Sequence, residues 1–212
     1  MTRGKLERFA PLTGIVFVVL VVIAFAVGRE TPDVDDSTRK VVDFWTENDG
    51  EQIAAAILGA WASVFLVWFG GSLRATLRRA EGEPGRFSAI SFGGFLTMAI
   101  GLNAFGGMGF AAADTAGDVP PAVTQTLSVL DSDFFFILAA GSFLALTASG
   151  IAIVARGGLA PWLGYLAIVL GIASLTPVGF FAFLAGGIWI LVASVLLFMG
   201  ERTPAAGRQA TG

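Results

Sequence analysis

The sequence predicts an all-α fold: an integral membrane bundle of six transmembrane helices, with one short amphipathic helix on the extracytoplasmic side. Three observations predict it. The 212-residue chain is 55% hydrophobic and only 14% charged, against roughly 25% charged residues in soluble domains. It holds six apolar runs, and a helix rising about 1.5 Å per residue needs about 20 such residues to cross a bilayer. Its charges fall between those runs, segregated by sign.

The first run, 9–27, has "GIVFVVLVVIAFAV" at its centre. The "AFA" at 24–26 resembles a signal-peptide cleavage site, but the apolar stretch exceeds the 7–15 residues or so of such a core, so the span reads as an uncleaved anchor. The second run is 52–73 and the third 87–113. The fourth, 134–155, has 22 residues without a charge. The fifth, 161–176, is the shortest and closes on the turn "TPVG". The sixth is 180–199. Residues 1–200 are thus expected to form one transmembrane domain, and 201–212 a short flexible cytoplasmic tail.

The loops set the orientation. Segments 1–8, 74–86, 156 and 201–208 carry 10 of the 13 basic residues and 4 of the 16 acidic ones. Segments 29–51 and 114–133 carry the other 3 basic and 12 acidic residues. Basic loops stay on the cytoplasmic side, so both termini are expected in the cytoplasm of a cell-membrane protein.

Between the first two spans, "DSTRKVVDFWTEN" (36–48) places Val41, Val42, Phe44 and Trp45 on a partly apolar face. That pattern predicts a short helix lying on the membrane or on the tops of the spans. Asp49 and Gln52 have capping-box spacing for the second span. "ADTAGDVPPAVTQTLSVL" (113–130) predicts a turn at Pro120-Pro121 and a short helix after it.

With no histidine and no cysteine in the chain, imidazole and thiol chemistry, including most transition-metal ligation, is excluded. No cofactor or metal is expected. The acidic cluster Asp33, Asp35 and Asp36 does not form a calcium loop, because Thr38 and Phe44 stand where glycine and glutamate are needed. No phosphate-cradling, dinucleotide, hydrolase-elbow or zinc-protease motif occurs, nor does a charge stand mid-span, as proton relays require.

Four kinds of residue remain as site candidates. Asn103, in "GGFLTMAIGLNAFGGMG" (93–109), either bonds a neighbouring helix or lines a cavity that the surrounding glycines open. Asp131 and Asp133, at the outer entrance of the fourth span, either start its helix or join Asp114 at the mouth of a solute or cation site. Arg74, Arg78 and Arg79, near one face at the cytoplasmic end of the second span, could bind lipid headgroups. Ala55, Gly59 and Ser63, and likewise Gly141, Ala145 and Ser149, form small-residue stripes suited to tight helix packing, within the chain or between chains. Trp162, beside Pro161, stands where an interfacial anchor is expected.

Two stretches, "FLVWFGGSLRATLRRAEGEPGRFSAISFGG" (65–94) and "ARGGLAPWLGYLAIVLGIASLTPVGFFAF" (155–183), with "VVDFWTENDGEQIAAAILGAW" (41–61) beside them, resemble a group of small actinobacterial multipass membrane proteins of unknown function. The resemblance covers most of 40–199 and implies the six-span plan, but no substrate or catalytic residue. The leading expectation is a non-enzymatic accessory or scaffold protein acting through the lipid bilayer, a membrane-protein partner or a second copy of itself, with no nucleic acid. A small-solute transporter or channel, with a cavity near the third span, is the alternative, and a membrane-embedded enzyme the third.

Overall fold

The computed structural model describes residues 9–133 and 135–200, and the side chains of 132 and 133 lie outside what it describes. The tail at 201–212 is outside it as well. Among the described residues the chain is helical, with no strand. A 3-10 turn at Ala10–Leu12 leads into α1 (Thr13–Val27). The remaining helices are α2 (Thr38–Glu47), α3 (Asp49–Glu81), α4 (Arg86–Thr115), α5 (Pro121–Asp133), α6 (Phe135–Arg156), α7 (Pro161–Ser174) and α8 (Gly179–Gly200).

Five stretches are long and apolar enough to cross a membrane: Ala10–Val27, Asp49–Glu81, Arg86–Thr115, Pro121–Arg156 and Gly179–Gly200. The expected fifth span is the exception. As α7 it has 14 residues, about 21 Å of helix, against a hydrocarbon core of about 30 Å. Length and composition alone therefore support five crossings rather than six.

The helices close into a ring. α1 packs on α3, α3 on α4, α4 on α6, α6 on α7, α7 on α8, and α8 returns to α1. Inside it, Leu66, Phe69 and Leu73 of α3 meet Phe95 and Met98 of α4, Leu146 of α6 and Trp189 and Ile190 of α8. The outward face is apolar too, as lipid requires: Trp61, Trp68, Ile100, Val169, Phe181 and Ile188 are all exposed.

Lipid tails are as apolar as leucine, so association inside a membrane depends on close packing and polar contacts between helices. Both are present between α4 and α6. Gly94 lies against the backbone of Ala145, and Gly141 against that of Met98. Ser91 and Ser149 share a hydrogen bond of 2.7 Å. The stripe of Gly141, Ala145 and Ser149 is thus spent on a contact within the chain.

The turns follow from local chemistry. Helix α3 ends at Gly82, whose φ of +77° suits glycine alone among common residues. Glu81 then reaches across the loop, accepting from the Phe87 and Ser88 amides at 2.8 and 3.0 Å, which satisfies free N–H groups at the start of α4. The capping box expected at α3 does not form. Asn48 is the N-cap but its side chain donates back to the Phe44 carbonyl instead of capping α3, Asp49 accepts from the Gly50 amide, and Gln52 is drawn away to donate to the Arg29 carbonyl at 3.0 Å.

Helix α7 runs antiparallel along α6. Gly164 touches Gly150 and Ile153, Gly171 touches Thr147, and Ser174 donates to the Ala139 carbonyl at 3.3 Å. Trp189 of α8 donates to the Leu163 carbonyl at 2.9 Å. The short helix is therefore pinned on both sides for most of the length of α6.

Candidate functional site

One end of the bundle carries a cap, built by α2 and α5. Ser37 caps α2, accepting from the Lys40 amide, and the apolar face of α2 buries Val41 and Trp45. They pack with Ala112 and Ala113 at the end of α4, so the amphipathic helix lies on the tops of the spans. Thr38 donates to Gln125 at 2.8 Å and ties α2 to α5. The charged rim outside it is satisfied locally: the Lys40 ammonium, 2.7 Å away, holds Asp36 below the usual carboxylate value.

Helix α5 turns a polar stripe inward. Thr124, Ser128 and Asp131, spaced four and three residues apart, share one face, and their exposures are 0%, 5% and 5%. Val123 and Leu130 point outward and are exposed. Leu127 joins the buried side, packed against the Val41 and Trp45 cluster, so the polar stripe is turned into the cap beside it.

Asp131 borders a cavity of about 500 Å³, within the range of small-ligand pockets. Helix α1 contributes Phe25, with Gly28 just past its end, α3 Gln52 and Ala56, α4 Phe105 and Gly106, with Trp45 of α2 and Phe180 of α8 completing the wall. Glycine makes the room: a Cβ at Gly109 would lie 3.0 Å from Asp131 Oδ1 and 3.6 Å from Trp45 Cη2. The same distances show that carboxylate and indole approach one spot on α4. Trp45 is 1% exposed, yet its Nε1–H has no hydrogen-bond partner, and neither does the Thr124 hydroxyl. Such buried orphans are uncommon and costly.

At the cavity mouth Arg29 is clamped by Glu51, through Nε at 2.7 Å and Nη2 at 3.2 Å. That carboxylate raises Arg29 above its ordinary guanidinium value. Glu30 also lines the opening.

The sequence candidates separate. The expectation that Asp131 starts a helix is corrected: it sits in the last turn of α5, already helical from Pro121. The side chain of Asp133 is outside the described residues. Asp114 is exposed on the last turn of α4 and is not among the residues lining the cavity. Asn103 is not a lining residue either. Its Nδ2 donates to Ser63 Oγ at 2.7 Å and to the Ala99 carbonyl at 2.8 Å, joining α4 to α3. Replacing Asn103 with leucine should therefore cost about 0.6–1.7 kcal/mol, the span of interhelical hydrogen bonds in membranes, in denaturant titrations in mixed micelles.

At the opposite end, Arg74 stacks over Phe92 with 5.4 Å to the ring centroid. Arg78 pairs with Glu83 at 2.8 Å, and Arg79 donates to the Thr76 hydroxyl at 3.0 Å. The three point to three different partners rather than converging.

The sequence marked Trp45 only as part of an apolar face and Gln52 only as a helix cap, and did not single out Thr124 and Ser128. The cavity position of the first two and the burial of the last two are what sequence reasoning missed. The legible signal was the polar repeat in "TQTLSVLD" (124–131), spaced for one helical face beside an apolar one. Comparison with known proteins finds no matching family model, no matching curated protein and no matching solved structure.

Proposed function

We propose that this is a non-enzymatic accessory protein of the cell membrane that binds a small ammonium-bearing ligand in its extracytoplasmic cavity. The observation that carries the reading is Asp131, a buried carboxylate beside the buried indole of Trp45, on the wall of a cavity of about 500 Å³. A carboxylate supplies charge-assisted hydrogen bonds to an ammonium, and an aromatic face attracts the same cation. Glu30 adds negative charge at the mouth, and Glu51 already occupies Arg29.

Binding is favoured over conduction because the ring interior is filled toward the end of the bundle opposite the cap, at the level of Gly14. Phe69 and Phe95 meet edge-on there at 5.5 Å, between fully buried Leu66 and Leu73. The topology is six crossings with both termini cytoplasmic. The charge asymmetry of the loops supports this, and so does the way α7 spans α6 from Ile153 to Ala139.

Ethanolamine is the test ligand. Thermal unfolding of the detergent-purified chain is expected to shift upward with millimolar ethanolamine and not with acetate. Asp131→Asn should weaken the effect about tenfold or more, since hydrogen bonds to charged groups are worth about 1.5–3 kcal/mol. An ethanolamine response that survives Asp131→Asn unchanged would remove this reading.

A further inference from the structure

We propose that the ligand is a lipid with a primary ammonium headgroup, whose chain lies in a groove between α1 and α8 while its ammonium meets Asp131. This rests on the cavity reading above and specifies what occupies it. A second cavity, of about 320 Å³, lies directly below the first. The two share Val21, Phe25 and Phe180 in their walls. At the junction Phe25 and Phe180 meet edge-on, with centroids 6.1 Å apart.

The lower cavity is walled by carbon from both helices, chiefly Phe17, Val18 and Val22 of α1 with Phe183, Leu184 and Ile190 of α8. Ser142 is its one hydroxyl side chain, and that hydroxyl already donates to the Leu138 carbonyl at 2.9 Å. An apolar slot of this kind suits a hydrocarbon chain. Its rim residues Val22, Phe25 and Leu184 are exposed on the lipid-facing side, so a chain can enter sideways from the bilayer.

The dimensions agree. From Phe17 to Gly28 the wall of α1 rises about 17 Å, close to one leaflet of a hydrocarbon core about 30 Å thick. The slot is apolar at its deep end and polar only at the top, the polarity of a single lipid molecule in that leaflet.

Charge selects the headgroup. Arg29, Glu30 and Asp131 line the upper cavity, and Glu51 is paired to Arg29. Either head carries a phosphate at the mouth, and a glycerol head brings only neutral hydroxyls to Asp131 and Glu30. A zwitterionic ethanolamine head meets a carboxylate with its ammonium and leaves its phosphate at the mouth, near Arg29.

The test uses native mass spectrometry of the full chain released from detergent, with phosphatidylethanolamine and phosphatidylglycerol as competing probes and ethanolamine stabilisation measured in parallel. One phosphatidylethanolamine should be retained at least tenfold in preference to phosphatidylglycerol. Gly187→Leu should lower that retention about tenfold while leaving the ethanolamine response intact. Its Cβ has space, the nearest atom being Val18 Cγ2 at 4.0 Å, and the rest of the side chain fills the groove. Leu184→Trp, on the exposed rim, is the independent blocking variant should Gly187→Leu fold poorly. Asp131→Asn should lower both readouts. Equal retention of the two lipids overturns the lipid assignment, as does phosphatidylethanolamine retention indifferent to both groove variants. In either case an ethanolamine response that depends on Asp131 leaves the cavity reading standing. An ethanolamine response that ignores Asp131 overturns both.

Discussion

Gly94→Ala is expected to destabilise the bundle by about 3 kcal/mol, the upper end of what overpacking a filled interface costs. The added methyl would fall on the backbone of Ala145, and backbone cannot rotate away as a side-chain tip can. Helices α4 and α6 would have to separate, loosening the Gly141–Met98 contact and the Ser91–Ser149 bond with it. The control is the neighbouring glycine. A Cβ at Gly93 meets nothing within 4 Å, so Gly93→Ala should be neutral or stabilising by up to about 1 kcal/mol through helix propensity. Unfolding titrations in mixed micelles compare the two variants directly. Equal losses would show that α4 is sensitive to any methyl, and that the close approach to α6 is not the cause.

Trp189→Ala should cost about 3–5 kcal/mol, the range for removing a large buried aromatic. Trp189 is 1% exposed and holds α7 to α8 through the bond to Leu163. Its importance follows from the shortness of α7, which cannot rely on a full-length interface of its own. Trp189→Phe keeps an aromatic ring in the site but loses the N–H and part of the indole volume, so about 1–3 kcal/mol is expected, less than for alanine. The cavity near Asp131 is lined from α8 by Phe180 alone, more than two helical turns from Trp189. The ethanolamine response should therefore persist in Trp189→Phe. If the phenylalanine variant is as unstable as the alanine one, the hydrogen bond rather than the packing secures the hairpin.

The contrast between Gly93 and Gly94 shows where sequence reasoning runs out. Both stand in one glycine-rich run, both are compatible with thin helix surfaces, and only the rotation of α4 distinguishes the one facing α6 from the one facing open space. Asn103 offered two roles, and its neighbour Ser63 selects the interhelical one, at 2.7 Å. Asp131 looked like a helix start because an apolar run follows it. It was in fact the end of a polar stripe, since α5 had already begun ten residues earlier.

The sequence by itself determined the all-α class, the positions of the apolar helices to within a few residues except at α3, and the amphipathic character of α2. It did so because hydropathy and helical period are properties of single segments. It also placed the charges between the spans, since a charge within hydrocarbon is costly wherever the neighbouring helices lie. Helix α3 outran its apolar run, continuing to Glu81, because polar residues outside a membrane core are free to stay helical. Tertiary structure decided the rest. The closed ring, the α4–α6 glycine contacts, the burial of Thr124, Ser128 and Asp131, and the meeting of Trp45 with Asp131 over Gly109 all depend on how helices rotate and pair. Those choices are made by contacts between residues far apart in the chain, and no local pattern contains them.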